Sequence, residues 1–312
     1  MGKNREKGRP PGGAAPYQSG RRGISMELER FMRRIGLPGE ARAVVIDHPI
    51  PPQEYRQWRE LFYTDAGAFL EAWRRREDRL AWALCFFTAA AAEAYERYQA
   101  LEIPEKVYWE TFSDIAIWCE DCRQRHGVYG LSQAEWIGKS VKLELFRLGR
   151  LQFEPVALRE AITLGGETFP AGTQALAVHI PAGEPLDIAR CEQSFQRAAA
   201  FFGRDRRVFI CESWLLAPGL GELLAPGSRI MQFQSLFEVI GTDERNPQAE
   251  ERIFGTVEAD KSRYPERSTL QRRAKAHLLS GGRIGVGTGV RMLAEVGDRV
   301  YFSSIRATVT PV

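Results

Sequence analysis

The chain has 312 residues, of which 44% are hydrophobic and 27% charged, and its formal net charge is +3. This length allows two cores, and the composition excludes general disorder. Five cysteines fit a reducing compartment, and no run reaches the roughly 20 apolar residues that a membrane-spanning helix needs, so we expect a cytoplasmic protein without a membrane partner.

The first 25 residues form a basic segment rich in proline and glycine, with six lysines and arginines against the single acid Glu6. Such a segment could touch RNA or lipid, but short basic runs are more often solvated termini. We therefore predict a disordered basic tail over 1–25 and no nucleic-acid partner. The sequence does not set the oligomeric state.

The next hundred residues have a helical period. Apolar side chains recur at three-and-four spacing from Ala66 to Tyr98, which predicts one long amphipathic helix. The same spacing predicts a second helix from Pro104 to Gly127, packed antiparallel to the first.

A change of period marks the end of this helical region. Ser132 and Glu135 are spaced as a capping box, which predicts another helix that carries Trp136 inward. Past the mid-140s the apolar period becomes two. The sequence thus predicts an α+β protein with a helical N-terminal domain over 26–137 and a sheet domain with flanking helices over 138–312.

The predicted elements of the second domain follow from local patterns. Leu151 and Phe153 face one side of a first strand, and turn residues over 165–172 indicate a hairpin. Asp187 is a suitable N-cap and Gly203 a suitable end for an amphipathic helix. Further strands are predicted at 174–180, 208–211, 231–239 and 299–309, and further helices at 218–224 and 270–279, the last with Ser268 and Gln271 as a capping box.

Two cysteine and glycine motifs have ordinary explanations. Cys119 and Cys122, with His126 nearby, could suggest zinc, but no second ligand pair follows and both thiols lie on a predicted apolar helix face. We predict core packing and no metal. The glycine-rich segment 285–289 follows a helix, so it does not fit a dinucleotide fingerprint, and we predict a flexible loop that could close over a site.

The signatures of serine hydrolases, zinc proteases and P-loop enzymes are absent from the sequence. Among four histidines, His179 alone ends a predicted strand next to a helix start, which makes it the best titratable candidate. The turn over 181–185 precedes the helix that begins near Asp187, where free backbone N–H groups favour a phosphate. An ordinary capped turn explains the same residues, because Glu184 and Asp187 bring negative charge there.

Polar residues also follow the most buried predicted strand. Glu212 and Ser213 could serve as a base and a hydrogen-bond donor, or they could satisfy backbone groups at the strand end. Cys211 is a weaker candidate for a nucleophile, because the sequence identifies no base beside it.

The chain resembles a bacterial family of acyltransferase-domain proteins with a helical N-terminal part and a GNAT-like C-terminal domain. The resemblance covers residues 28 to 308. It rests on the segments 145–154, 178–183, 211–216 and 268–271, on Cys191 and Ser194, and on the glycine-rich segment.

This resemblance implies a mixed sheet in which the strands 174–180 and 206–212 diverge and hold acyl-CoA, either acetyl-CoA or another acyl-CoA, in the gap. It implies an N-acyltransferase that moves the acyl group to an amine, with His179 or Glu212 as the base. The pyrophosphate signature of that fold, Arg or Gln, two residues, Gly, one residue, then Gly or Ala, is absent from 181–187. A non-catalytic ligand-binding or regulatory module on the same fold is the alternative. The donor-binding positions implied are Val178, Ile180, Ala182, Gly183, Leu186 and Asp187, with Ser213 near the site.

Overall fold

A computed structural model describes residues 28–203 and 206–293. The first part of the described chain is helical, and the second part is a mixed six-stranded sheet with flanking helices. The predicted α+β class is therefore confirmed. The predicted basic tail and the predicted strand over 299–309 lie outside the described residues.

Within the described residues the first part consists of eight helices. Each of the two long helices predicted from the sequence is two shorter helices in the structure. The stretch predicted as one helix from Ala66 to Tyr98 is two, since Arg76 bonds Asp78 (2.8 Å) and Glu54 (3.1 Å) across a turn. Residues two positions apart on a helix point in different directions. The bond between Arg76 and Asp78 can therefore form only where the helix is interrupted. The helices are α1 (28–34), α2 (Gly39–Asp47), α3 (Pro52–Thr64), α4 (Ala66–Arg74), α5 (Arg79–Ala100), α6 (Glu105–Phe112), α7 (Asp114–His126) and α8 (Ala134–Val141).

The second predicted helix is also two, α6 and α7, which meet at Ser113. It ends as predicted at Gly127, whose φ of 74° is the left-handed conformation that glycine adopts without strain. The predicted capping box before α8 is wrong, because the N-cap is Gln133 and no side chain caps this helix.

The main sheet has the strand order β1-β2-β5-β6-β8-β7. β5 and β6 run parallel, and the other neighbours are antiparallel. A separate hairpin, β3–β4, turns at Gly165 and Gly166, as the turn chemistry predicts. The strands are β1 (Phe146–Leu148), β2 (Leu151–Ala157), β3 (Ile162–Leu164), β4 (Glu167–Phe169), β5 (Gln174–His179), β6 (Val208–Ser213), β7 (Glu238–Asp243) and β8 (Val286–Met292).

In the described part of the chain five α-helices accompany the sheet, and one replaces a predicted strand. The alternation over 231–239 predicts a strand, but Ser228 caps the amide of Met231 (3.3 Å) and opens a short helix, with β7 following it. The four alternating apolar residues behind this prediction, Met231, Phe233, Phe237 and Val239, are too few to fix the period. The helices are α9 (Ile188–Phe202), α10 (Leu220–Leu223), α11 (Arg229–Gln234), α12 (Gln248–Phe254) and α13 (Thr269–Leu279).

The glycine-rich segment is not the predicted loop but strand β8, between β6 and β7. A Cβ on Gly287 would lie 2.1 Å from the carbonyl oxygen of Leu216, and a Cβ on Gly289 would lie 2.7 Å from Cδ1 of the same leucine. Leu216 ends a short 3-10 turn that begins at Trp214 and crosses the strand. The glycines therefore permit close backbone packing inside a sheet.

One hydrophobic core joins the helical part to the sheet. Side chains of α5 and α6 share a cluster with β1, β2, β5, β6 and α9. Tyr98 contacts Phe146 with ring centroids 5.9 Å apart, and Thr111 accepts a hydrogen bond from the amide of Arg147 (3.0 Å). Gly138, the predicted domain boundary, lies inside α8, and the domain division stays a prediction. Within 28–203 and 206–293 no helix is long and apolar enough to cross a bilayer.

Replacing Gly287 by alanine should lower the free energy of unfolding by roughly 2 kcal/mol or more, because the added methyl group meets backbone that cannot move aside cheaply. Gly241→Ala is the matched control, since its Cβ would lie 3.8 Å from the nearest atom, an ordinary contact. Urea denaturation of both variants measures the difference. Equal losses would contradict the close-packing explanation.

Candidate active site

The two parallel strands at the centre of the sheet pair only briefly. β5 and β6 are in register at Leu176–Phe209 and Ala177–Ile210, whereas β2 and β5 pair at six positions. Beyond Ala177 and Ile210 the ends of β5 and β6 have no partner across the space between them. The short ladder is what a gap between the ends of these strands requires.

His179 and Glu212 lie on the same face of the sheet, on opposite sides of this gap. Alternate residues of a strand point to opposite faces. Leu176 and Val178 belong to the main core, so His179 points to the other face. By the same alternation Glu212 shares that face, while Ser213 points toward the core side with Cys211.

His179 is held by a carboxylate on the neighbouring strand. Its Nε2 lies 3.1 Å from Oε2 of Glu154 in β2, and its side chain is 28% exposed. The other oxygen of Glu154 accepts a hydrogen bond from Lys139 of α8 (2.7 Å). The ring of Trp136, also on α8, meets the imidazole edge-on with centroids 4.7 Å apart.

The charge of Glu154 determines which nitrogen of His179 is free. Burial opposes ionisation of Glu154, but the hydrogen bonds from His179 and Lys139 outweigh it and hold the pKa of this carboxyl below its usual value. An ionised carboxylate can only accept hydrogen bonds, so Nε2 carries the hydrogen. Nδ1 of His179 is then left as a proton acceptor.

A buried carboxyl in α7 fixes Trp136. Oδ2 of Asp114 accepts hydrogen bonds from the indole nitrogens of Trp118 (3.0 Å) and Trp136 (2.9 Å). Asp114 is 1% exposed, and burial raises the pKa of its carboxyl above the usual value despite these bonds. The helical part therefore supplies one wall of the space around His179.

The loop between β5 and α9 is organised by a buried arginine. Arg150 is 2% exposed, and its guanidinium donates to the carbonyl oxygens of Pro181 (3.0 Å), Glu184 (2.7 Å) and Pro185 (3.0 Å). In a trans peptide the N–H points opposite to the C=O. The amides of Ala182 and Leu186 consequently point away from Arg150.

Several amides of this loop have no partner. In the described part of the chain, no hydrogen bond uses the N–H of Ala182, Gly183, Glu184 or Leu186. Gly183 has a φ of 89°, which lets the loop turn sharply at that residue. Unpartnered amides beside a helix start are the groups that bind phosphate in other proteins.

The remaining predicted donor-binding residues lie around this loop. Asp187 is the N-cap of α9, as predicted, and accepts a hydrogen bond from the amide of Arg190 (2.9 Å). Val178 is buried, and Ile180 packs partly buried against the main core. The capped turn and the free amides thus coexist in one loop.

The other candidate side chains are partly or fully occupied by structural contacts. The hydroxyl of Ser213 accepts a hydrogen bond from the amide of Leu215 (3.2 Å). Cys211 is buried, which raises the pKa of its thiol. Cys119 and Cys122 are fully buried core residues. Among residues 28–203 and 206–293 no group of three or more His, Cys, Asp or Glu could hold a metal ion.

Two cavities of about 530 Å³ open on the described surface. One lies between α7 and the β5–α9 loop, with Ile117 and Trp118 on one side and Ala182 and Gly183 on the other. The second cavity, beside α13 and the end of β7, is lined by none of the predicted site residues. The first cavity therefore adjoins the unpartnered amides.

The sequence interpretation missed Glu154, Lys139 and Arg150. Arg150 and Glu154 alternate with apolar residues and look like the solvent side of a strand, yet Arg150 is buried beneath the loop. His179 is 25 residues from Glu154 and Pro181 is 31 residues from Arg150 along the chain, so only the fold brings these partners together. One feature of the sequence could have indicated this. A charged residue that is next to a buried residue on a strand can itself point into the protein.

Comparison with known proteins identifies the fold as that of GNAT-like acyltransferases. Residues 26–143 match the model of the N-acyltransferase N-terminal domain, and residues 145–291 match that of the GNAT-like C-terminal domain. The chain belongs to the N-acyltransferase family with a GNAT-like C-terminal domain. No curated protein matches the sequence.

Solved structures agree at the level of the fold. An acyltransferase in complex with decanoyl-CoA and teicoplanin is 23% identical, covers 86% of this chain and 88% of its own, and superimposes with a TM-score of 0.69. An acyltransferase in complex with CoA and 10C-teicoplanin has the same identity and coverage and a TM-score of 0.68.

The buried Asp114 should make stability depend on pH in a defined direction. Because folding raises its pKa, the folded state binds the proton more tightly, and stability falls as pH rises from about 4, the ordinary carboxyl pKa, through the raised value. Asp114→Asn keeps an acceptor for both indoles and does not titrate. Relative to the wild type, this variant should gain stability with rising pH in urea titrations.

Glu154→Gln is the matched control, because its stability relative to the wild type should change with pH in the opposite direction. The pKa of Glu154 is lowered in the fold, so its contribution is present above the ordinary carboxyl pKa and is lost as pH falls through the lowered value. The stability difference between wild type and this variant should shrink in acid. The same pH slope in both variants would contradict these assignments.

Proposed function

We propose that the protein is an acyl-CoA-dependent N-acyltransferase whose active site is the gap between β5 and β6. The observation that carries this proposal is the combination of two parallel strands that pair at only two positions with a following loop whose amides lack partners. A thioester donor needs a slot for its extended arm and donors for its phosphates, and these two features offer both.

The donor would lie along the open edges of the two strands. Backbone N–H and C=O groups of unpaired strand ends can bond an extended pantetheine arm as they would bond another strand. The amides of Ala182, Gly183 and Leu186 would face its phosphates. The cavity between α7 and this loop gives room beside them. Crystal structures of the same fold hold decanoyl-CoA and CoA, which supports an acyl-CoA as the donor class.

Catalysis would begin with proton removal from the acceptor. An ammonium group cannot attack, so a base must first take its proton. We assign this role to Nδ1 of His179, because Glu154 fixes the orientation of the ring through Nε2. The neutral amine then attacks the thioester carbonyl and forms the carbon–nitrogen bond. The carbon–sulfur bond breaks, the nitrogen gives up one further proton to become an amide, and the departing thiolate takes up a proton to become the thiol.

Glu212 and Ser213 have secondary roles in this scheme. Glu212 is exposed and has no ion pair within the described residues, so it can receive the acceptor's ammonium group across the gap. The hydroxyl of Ser213 uses its oxygen as an acceptor, which leaves its hydrogen to donate to the departing sulfur. His179 is preferred as the base because its orientation is fixed by a partner.

Isothermal titration with acetyl-, octanoyl- and decanoyl-CoA tests the donor site. Binding should raise the free energy of unfolding by about 2.7 kcal/mol at a ligand concentration of 100 Kd.

Arg150→Met should weaken binding about tenfold or more, because three carbonyls lose their donor and the loop amides lose their orientation. Arg59→Met, which removes an exposed arginine of α3, should leave binding unchanged. Absence of heat and of thermal stabilisation with all three donors would overturn the proposal.

Steady-state thiol release with a panel of amines tests the base. His179→Gln should lower kcat roughly 10²- to 10⁴-fold with little change in KM for the donor, and Glu154→Gln should shift the pH profile of kcat. Glu212→Gln should mainly raise KM for the amine. The reverse pattern would assign the base to Glu212. Donor binding without transfer to any amine would favour the binding module instead.

A further inference from the structure

The carboxylate of Glu184 is bound between two arginines next to the unpartnered amides. Its Oε1 lies 2.5 Å from Nη2 of Arg147, and its Oε2 lies 2.6 Å from Nη2 of Arg190. The side chain of Arg147 is 6% exposed, whereas those of Glu184 and Arg190 are 36% and 50% exposed. Arg147 and Arg190, which we call the arginine pair, thus form an anion site that the chain's own carboxylate fills.

The position of Arg190 favours an anion beside it. It lies in the first turn of α9, where the helix dipole presents positive charge and proteins normally place acids. Asp187, one acid at that end, already accepts a hydrogen bond from the amide of Arg190. A cation at this end is unfavourable unless a further negative group lies beside it, and in this structure that group is Glu184.

Arg147 is oriented independently of Glu184. Its Nε donates to the carbonyl of Gly149 (3.0 Å), and its Nη1 lies 3.5 Å from the hydroxyl of Ser113. A buried guanidinium without an anion is costly, so some negative group must occupy this place. Since the fork is held by Gly149 and Ser113, it would stay aimed at the same point after Glu184 moved away.

We propose that the arginine pair binds the diphosphate of the acyl donor, and that Glu184 is an internal ligand which the diphosphate displaces. This inference rests on the proposed function. Glu184 belongs to the loop whose amides lack partners, so one movement of its side chain would open both guanidinium groups beside those amides. Arginine forks match phosphate oxygens as well as carboxylates.

The charge count agrees with this exchange. With Glu184 bound, the two arginines and one carboxylate carry +1, and without it they carry +2, which matches a diphosphate diester of charge −2. The same arrangement explains the missing pyrophosphate signature in 181–187. Here the cations come from β1 and from the first turn of α9 instead of from the loop itself.

Titration calorimetry with Glu184→Gln, Arg190→Gln and the wild type tests the exchange. Glu184→Gln should tighten CoA about tenfold, because the competing charge is gone, and Arg190→Gln should weaken it about tenfold. The gain from Glu184→Gln should shrink in the Arg190→Gln background. Glu192→Gln is the matched control, since it removes a partly exposed acid of α9 that pairs with Arg291 instead.

Ligands that carry different phosphates show which phosphate of CoA the arginine pair binds. Dephospho-CoA keeps the diphosphate and should respond as CoA does, whereas pantetheine has no phosphate and should bind all variants alike. An effect lost with dephospho-CoA would assign the arginine pair to the 3′-phosphate and overturn the diphosphate assignment. Thermal unfolding of each free variant identifies any affinity change that comes from misfolding.

The outcomes distinguish this inference from the proposed function. CoA binding that Glu184→Gln leaves unchanged, or that Glu192→Gln tightens equally, would overturn the exchange while the acyltransferase proposal stands. No binding of CoA or acyl-CoA by the wild type and by Glu184→Gln would overturn the proposed function and the inference together.

Discussion

The candidate site depends on a buried guanidinium that binds three carbonyl oxygens of one loop. Without Arg150, the carbonyls of Pro181, Glu184 and Pro185 would be partly buried acceptors with no donor in reach. With it, the direction of each peptide is set, and the amides on the other side are left without internal partners. A positive charge is well suited to this task, because charged donors make stronger hydrogen bonds than neutral ones.

The part of the candidate site around His179 is built across the joint between the two parts of the chain. β2 and β5 place Glu154 and His179 side by side, but the ring of His179 is also bounded by Trp136 from the helical part. Trp136 in turn is fixed by Asp114, which is buried among helices. The helical part is thus more than a covering for one face of the sheet, since it constrains the orientation of the histidine.

Local chemistry in the sequence predicts the elements whose ends are fixed by single residues. The N-cap at Asp187, the glycine end of α9 at Gly203, and the capping serine at Ser268 are all present. The strand predicted at 231–239 and the loop predicted at 285–289 are wrong, because in both places the outcome depends on what packs against the segment. A glycine that accommodates Leu216 cannot be told from a flexible glycine by its neighbours in sequence.

The sequence placed His179 and the amide-bearing loop correctly at a strand end, but it could not supply their partners. Glu154, Lys139 and Arg150 contact residues 15 or more positions away, and such contacts follow from how strands, helices and loops pack together and not from any local pattern. Arg147 and Glu184 are 37 residues apart and meet for the same reason. Charged residues that alternate with apolar ones are usually exposed to solvent. The sequence pattern therefore predicts exposure for Arg147 and Arg150, which are buried in the structure.

The shared core also constrains how such proteins can diversify. Glu110 and Thr111 of α6 accept hydrogen bonds from the backbone of Gly149 and Arg147, and Glu110 further pairs with Arg197 of α9 (2.7 Å). A helical part inherited from another lineage would have to reproduce these contacts before the sheet could retain its shape. Recombination at the border between the two parts is therefore penalised, and the candidate site changes more easily by substitutions that leave the contacts between the two parts intact.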